Sequence, residues 1–193
     1  MESKKLQKTG RPRSIDRDHV LDMAEKLVEE GGILALTMDA VAQAAGVTKG
    51  GVQYCFGNKD GLMKAMIERL GDRFDDQVAA RKRHKNDAIS HIAAHIAVTR
   101  ESDADDDSRF AAMMASLIPN SHYLEETRAW YRRQWDGLDV STPEGRRARL
   151  AFIANEGAFW LRSFNLFELT QKEWQSIFDD IEELLGEHSK GRE

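Results

Sequence analysis

A chain of 193 residues with 41% hydrophobic and 32% charged side chains can build one or two compact domains and is too apolar for wholesale disorder. It has no apolar run near the roughly 20 residues of a membrane helix, no apolar stretch of a secretory signal in MESKKLQKTGRPRS, and a single Cys, which excludes an internal disulfide and a Cys-based zinc site. The expectation is a soluble protein of a reducing, cytoplasmic compartment with no membrane partner. The net charge of −5 argues at first sight against nucleic acid, but residues 1–85 sum to +3 and residues 86–193 to −8. Lys4, Lys5, Lys8, Arg11, Arg13 and Arg17 lie in the first 17 residues. A basic front on an acidic rear suggests two tasks in one chain.

The predicted elements are all helical. Val20, Leu21, Ala24, Leu27 and Val28 recur with helical period, and Gly31-Gly32 should end that helix. Thr37 caps a short helix carrying Val41, Ala42 and Ala45, which Gly46 stops. Thr48 caps the next, with Val52, Gln53, Tyr54 and Phe56. Asn58 opens a longer helix, about 58–83, with Leu62, Met66, Leu70, Phe74 and Val78 on one face, running into the basic Arg81-Lys82-Arg83. A helix from about Asp87 to Thr99 turns Ile89, Ile92 and Ile96 inward. The acidic run Asp103–Asp107 reads as a loop before a helix around Phe110, Met113, Met114 and Leu117 that Pro119 stops. A further helix spans about Tyr123 to Trp135. Thr142-Pro143-Glu144 opens a helix with the stripe Leu150, Ile153, Gly157, Leu161 and Phe164. Thr170 and Glu173 form a capping box before Trp174, Ile177, Phe178, Ile181, Leu184 and Leu185.

Thr37 to Phe56, TMDAVAQAAGVTKGGVQYCF, pairs two short helices across a glycine turn, the pattern of a helix-turn-helix whose second helix enters the major groove. Ala42 and Ala45 are small enough for close crossing, Gly46 permits the turn and Val47 fills the corner. Thr48, Lys49, Gly51, Gln53 and Tyr54 are expected to face outward, offering groups for phosphates or base edges. Gly50 and Gly51 each cost about 1 kcal/mol against Ala inside a helix, which close approach of a DNA backbone would explain.

GRPR, VLDMAEKLVEEGG and LTMDAVAQAAGVTKGGVQYCFGNKDGLMKAMIE together resemble the N-terminal domain of TetR-family transcriptional regulators over about residues 11–70. The resemblance implies an all-α protein: a basic arm at 1–13, a three-helix helix-turn-helix domain at 14–74, and a ligand-binding and dimerisation domain at 75–193. It implies contact with operator DNA through Arg11, Arg13, Thr37, Met38, Thr48, Lys49, Gly51, Gln53, Tyr54 and Lys59. Thr37 and Thr48 stand at helix N-termini suited to phosphates, and arm arginines can reach a minor groove. The chain departs from the family pattern where Gly51 replaces a commoner Thr, Gln53 a customary Tyr, and Cys55 a Tyr or His. Gln53 can pair bidentately with adenine. Cys55 is either a half-buried inert thiol or a redox-sensitive one.

The resemblance further implies a homodimer on a near-palindromic operator, acting as a repressor released by a small-molecule inducer. For the dimer interface, the two last helices supply Leu150, Ile153, Gly157, Leu161, Trp174, Ile177, Phe178 and Ile181, with closure of the monomer core as the other reading. For the inducer, Phe110, Met113, Met114, Leu117, Tyr123, Trp130, Tyr131, Phe159 and Trp160 suit an adaptable apolar cavity, with Asn155 and Glu156 as polar anchors. A buried Glu156 needs a partner, either an internal Arg or a cationic ligand among aromatics, as in regulators of drug or biocide efflux. His91 and His95 share a helix face but have no third ligand at standard spacing, so no metal or cofactor is expected, and no catalytic motif is present. A DNA-organising protein without inducer and a helical protein-interaction module remain the alternatives.

Overall fold

The computed structural model describes residues 15–82 and 87–186, and every regular element among them is an α-helix. These are α1 Arg17–Ala35, α2 Met38–Ala44, α3 Lys49–Phe56, α4 Lys59–Arg81, α5 Ala88–Arg100, α6 Ala104–Leu117, α7 Ser121–Gln134, α8 Pro143–Ser163 and α9 Gln171–Leu184. Each begins at an Asp, Asn or Thr whose side chain accepts a first-turn backbone N–H, from Asp16 before α1 to Thr170 before α9. Thr170 and Glu173 close the reciprocal capping box expected from their spacing.

Gly32 leaves helical geometry (φ 67°) and breaks the helix at the glycine pair, and a short helical stretch resumes to Ala35. One local expectation is corrected. The acidic run is not a loop. Asp103 caps α6 and Asp105, Asp106 and Asp107 form its first turn, where carboxylates favour the positive end of the helix dipole.

The helices pack around two main cores. The first gathers Val20, Val28, Val41, Val52, Leu62 and Met66 from α1–α4, and also Met113, Met114 and Leu117 of α6 and Tyr123 of α7. The N-terminal helices are thus seated directly on the rest of the molecule. Arg69 of α4 reinforces this unit, pairing with Glu25 and Asp22 of α1 at 2.8 and 2.7 Å, and Lys64 ties α4 to Glu126 of α7 at 2.8 Å. The second core joins Ile92 and Ile96 of α5, Ala148, Ala151 and Phe152 of α8, and Trp174, Phe178 and Ile181 of α9.

That second core corrects three of the eight residues of the expected dimer face. Trp174, Phe178 and Ile181 follow one another at helical spacing and are only 1, 0 and 3% exposed, so they fill the monomer's own interior. Leu150, Ile153 and Leu161 point the other way and are 57, 52 and 45% exposed, with Gly157 open beside them. Ile177 is half-buried at the edge of an open apolar groove of about 320 Å³, lined also by Ala154, Gly157, Leu161, Phe167 and Leu169.

Candidate nucleic-acid interface

The chain between α2 and α3 turns at Gly46, whose φ of 64° lies in the left-handed region where a side chain is strained. Val41 and Ala42 of α2, Ala45 just after it, and Val52 and Phe56 of α3 face the core and fix the angle between the helices. Both N-termini are capped, the Thr37 hydroxyl accepting from Ala40 N–H and the Thr48 hydroxyl from Gly51 N–H, each at 3.1 Å. The far end of α3 is braced by Arg17, which donates to the Cys55 carbonyl at 2.9 Å and sets its guanidinium over the Phe56 ring. Cys55 itself is half-buried.

What α3 leaves outside is one face: Lys49, Gly50, Gln53 and Tyr54, the last 90% exposed. Lys49 is not free on that face; its ammonium donates to Asp39 of α2 at 2.8 Å. Gly51 is corrected. It is buried, and a Cβ on it would lie 2.4 Å from Ile15 Cδ1, so its lack of a side chain serves packing inside the protein. Gly50 has no such reason among the described residues, since a Cβ there meets none of their atoms beyond its own stretch of helix within 4 Å. Met38 packs partly into the core, and Lys59 donates to the Ile33 carbonyl at 3.3 Å, pinning α4 to the end of α1. Arg11 and Arg13 lie outside the described residues.

The residues expected to form an inducer cavity divide. Met113, Met114 and Leu117 belong to the first core, where the Tyr123 hydroxyl donates to Met114 sulfur, and are corrected from cavity lining to packing beneath the N-terminal helices. Of the others, Asn155 and Tyr131 bond directly to Glu156, and Trp160 bonds to Tyr131. Glu156 Oε1 meets His95 Nε2 and Asn155 Nδ2, each at 3.0 Å, and its Oε2 accepts from Tyr131 Oη at 2.9 Å. Trp160 Nε1 donates to that same hydroxyl at 3.2 Å. The partner of the carboxylate is therefore His95, Tyr131 and Asn155 and not an internal Arg. Phe110 stacks on Trp160, Phe159 meets it edge-on, and Trp130 packs against Tyr131. Asn155 Oδ1 and His95 Nδ1 are buried with no hydrogen-bond partner among the described residues. His91 and His95 do not converge on a shared site: His91 pairs with Gln134 at 2.8 Å, and His95 with Glu156.

Asp39, Arg17 and His95 have roles that sequence reading did not give them. Asp39 and Lys49 are ten positions apart across the turn, and His95 and Glu156 sixty-one apart, so no local periodicity links them.

Comparison with known proteins follows the same division. The family model of bacterial regulatory proteins of the tetR family matches residues 20–66, and that of a tetracyclin repressor-like C-terminal domain matches residues 90–186. This chain belongs to the TetR family. The HTH-type transcriptional regulator BetI of Burkholderia thailandensis is 30% identical over 106 residues, 55% of this chain and 53% of that protein. The HTH-type transcriptional repressor ComR of Escherichia coli is 38% identical over 65 residues, 34% of this chain and 31% of its own length. The chain thus spans about half or less of these curated relatives. A transcriptional regulator from Rhodococcus sp. Rha1 shares the fold, with TM-score 0.62 and 22% identity over 88% of this chain and 95% of that one. SmeT in its triclosan complex does so with TM-score 0.56 and 20% identity over 86% and 90%.

Proposed function

We propose that this protein is a ligand-responsive transcriptional repressor that binds a near-palindromic operator as a homodimer in the cytoplasm. The observation that carries the reading is the exposed face of α3, a capped and braced helix offering Lys49, Gln53 and Tyr54 beside an open Gly50. Thr37 and Thr48 would position phosphates at the starts of α2 and α3, and Arg11 and Arg13 would add backbone or minor-groove contacts. A basic front on an acidic body confines affinity to that face, because the body repels the duplex. The exposed side of α8, with Leu150, Ile153, Gly157 and Leu161, supports pairing with a second copy.

The inducer site is centred on Glu156, with Asn155, Tyr131, Trp130, Phe110, Phe159 and Trp160 around it. A lipophilic cation suits a carboxylate set among rings, and its arrival would compete with Tyr131 and His95 for the carboxylate oxygens. Trp160 stacks on Phe110 of α6, and α6 carries Met113, Met114 and Leu117 in the core of the N-terminal helices. Rearrangement at Glu156 therefore has a packed route to the recognition helices, and favouring the released state by about 1–3 kcal/mol suffices for regulation. Control of an efflux transporter is the narrower reading, and it rests on a lipophilic cation being the ligand that the Glu156 carboxylate takes.

Gel shift of the DNA upstream of the protein's own gene tests this reading. The chain should retard that duplex, Lys49→Ala with Tyr54→Phe should weaken binding, and a lipophilic cation such as tetraphenylphosphonium should release the wild type but not Glu156→Gln. Binding without release by any ligand points to a DNA-organising protein. No binding at all points to a helical protein-interaction module.

A further inference from the structure

The outer face of α3 holds few groups able to distinguish one base pair from another. Val52 and Phe56 are buried, Cys55 is half-buried with its carbonyl engaged by Arg17, and Gly51 is covered by Ile15. The Thr48 hydroxyl oxygen caps its own helix and the Lys49 ammonium is held by Asp39. Gly50 has no side chain. Gln53 and Tyr54 are what remains, both exposed. A phenol presents one hydroxyl, whereas a primary amide presents an acceptor and a donor in one plane, at the separation of adenine N6 and N7. Gly50, one turn before Gln53, keeps the helix surface low there, so nothing holds the amide away from a base edge.

We infer that Gln53 is the residue that sets operator sequence: its Oε1 accepts from adenine N6–H and its Nε2 donates to adenine N7 in the major groove. Each half-site then carries an A·T pair at the position facing Gln53. Thr48, Lys49 and Tyr54 hold the backbone in register and add little base discrimination. The assignment rests on the DNA-binding reading above and adds to it the base that is read.

Selection of duplexes from a randomised pool by the full-length chain tests it, with wild type, Gln53→Ala and Gln53→Arg selected in parallel. Wild type is expected to enrich symmetric half-sites with A·T at one fixed position. Gln53→Ala should lose that preference about ten- to hundredfold while keeping the other positions and the salt dependence of binding. Gln53→Arg should replace A·T by G·C at that position alone, because a guanidinium pairs with guanine O6 and N7. The same half-site selected by all three chains overturns the assignment and leaves the DNA-binding reading intact. Failure of the wild type to enrich any sequence overturns both.

Discussion

The Lys49 ammonium at the start of the recognition helix lies 2.8 Å from the Asp39 carboxylate of the preceding helix. Both side chains are more than half exposed, so the pair contributes at most about 1 kcal/mol to stability. Its consequence is for the proposed DNA binding, since a carboxylate beside the lysine proposed to meet a phosphate opposes the duplex. Asp39→Asn is expected to tighten duplex binding several-fold at low salt and to leave the unfolding free energy within about 1 kcal/mol of wild type. Fluorescence anisotropy across a salt series and urea unfolding check the two parts.

Arg162 of α8 forms a different kind of pair. Its side chain is 8% exposed, its guanidinium lies 3.3 Å from the Trp174 ring centroid, and it donates to Asp107 of α6, which also accepts from Ser102. Burial pushes the Asp107 carboxyl up, while Ser102 and Arg162 pull it back. Arg162→Leu strands that carboxylate, so a loss of about 3–5 kcal/mol is expected in urea unfolding. The sign of the pH dependence follows. Without Arg162 the folded state takes up a proton at Asp107 more readily than the unfolded chain, so the variant should recover stability as pH falls from neutral toward 5.

Burial pushes the Tyr123 phenol up to about 12 from its ordinary 10.0, and burial together with Glu156 pushes Tyr131 up as well. The unfolded chain releases these protons first, so the stability they supply is complete below pH 10 and is lost as pH rises toward 12. Urea midpoints should fall across that interval, and Tyr123→Phe should fall less steeply.

The two faces of the α8–α9 pair predict opposite outcomes. Ile153→Asp places a charge on an exposed apolar face, so the monomer should stay folded while light scattering shows loss of the dimer. Phe178→Ala empties a fully buried position, with an expected cost of about 3–5 kcal/mol by urea unfolding. Were Ile153→Asp to remain dimeric, the second copy would have to sit elsewhere.

The helix order was legible because its signals are local: a cap, a helical apolar stripe and a glycine stop recur along the chain, and the tetR-type motif spans one continuous segment. What stayed hidden depends on distance. The stripe Trp174, Phe178 and Ile181 has the same periodicity whether it meets a second copy or the monomer's own α5 and α8, and only burial separates the two. Gly50 and Gly51 look equivalent in sequence, yet Ile15 accounts for one and nothing among the described residues accounts for the other. Met113, Met114 and Leu117 have the composition of a ligand cavity but lie against α1–α4, a contact that no spacing within α6 records.

Gly50 therefore offers the most direct measurement of the central claim, that this face of α3 enters the major groove. The methyl of Gly50→Ala meets no atom of another element among the described residues within 4 Å and should raise helix stability by up to about 1 kcal/mol. Where DNA lies against that face, the added methyl obstructs it. The account predicts a higher unfolding midpoint together with at least tenfold weaker binding to the upstream duplex. A Gly50→Ala chain that is more stable and binds that duplex as tightly as wild type would contradict it.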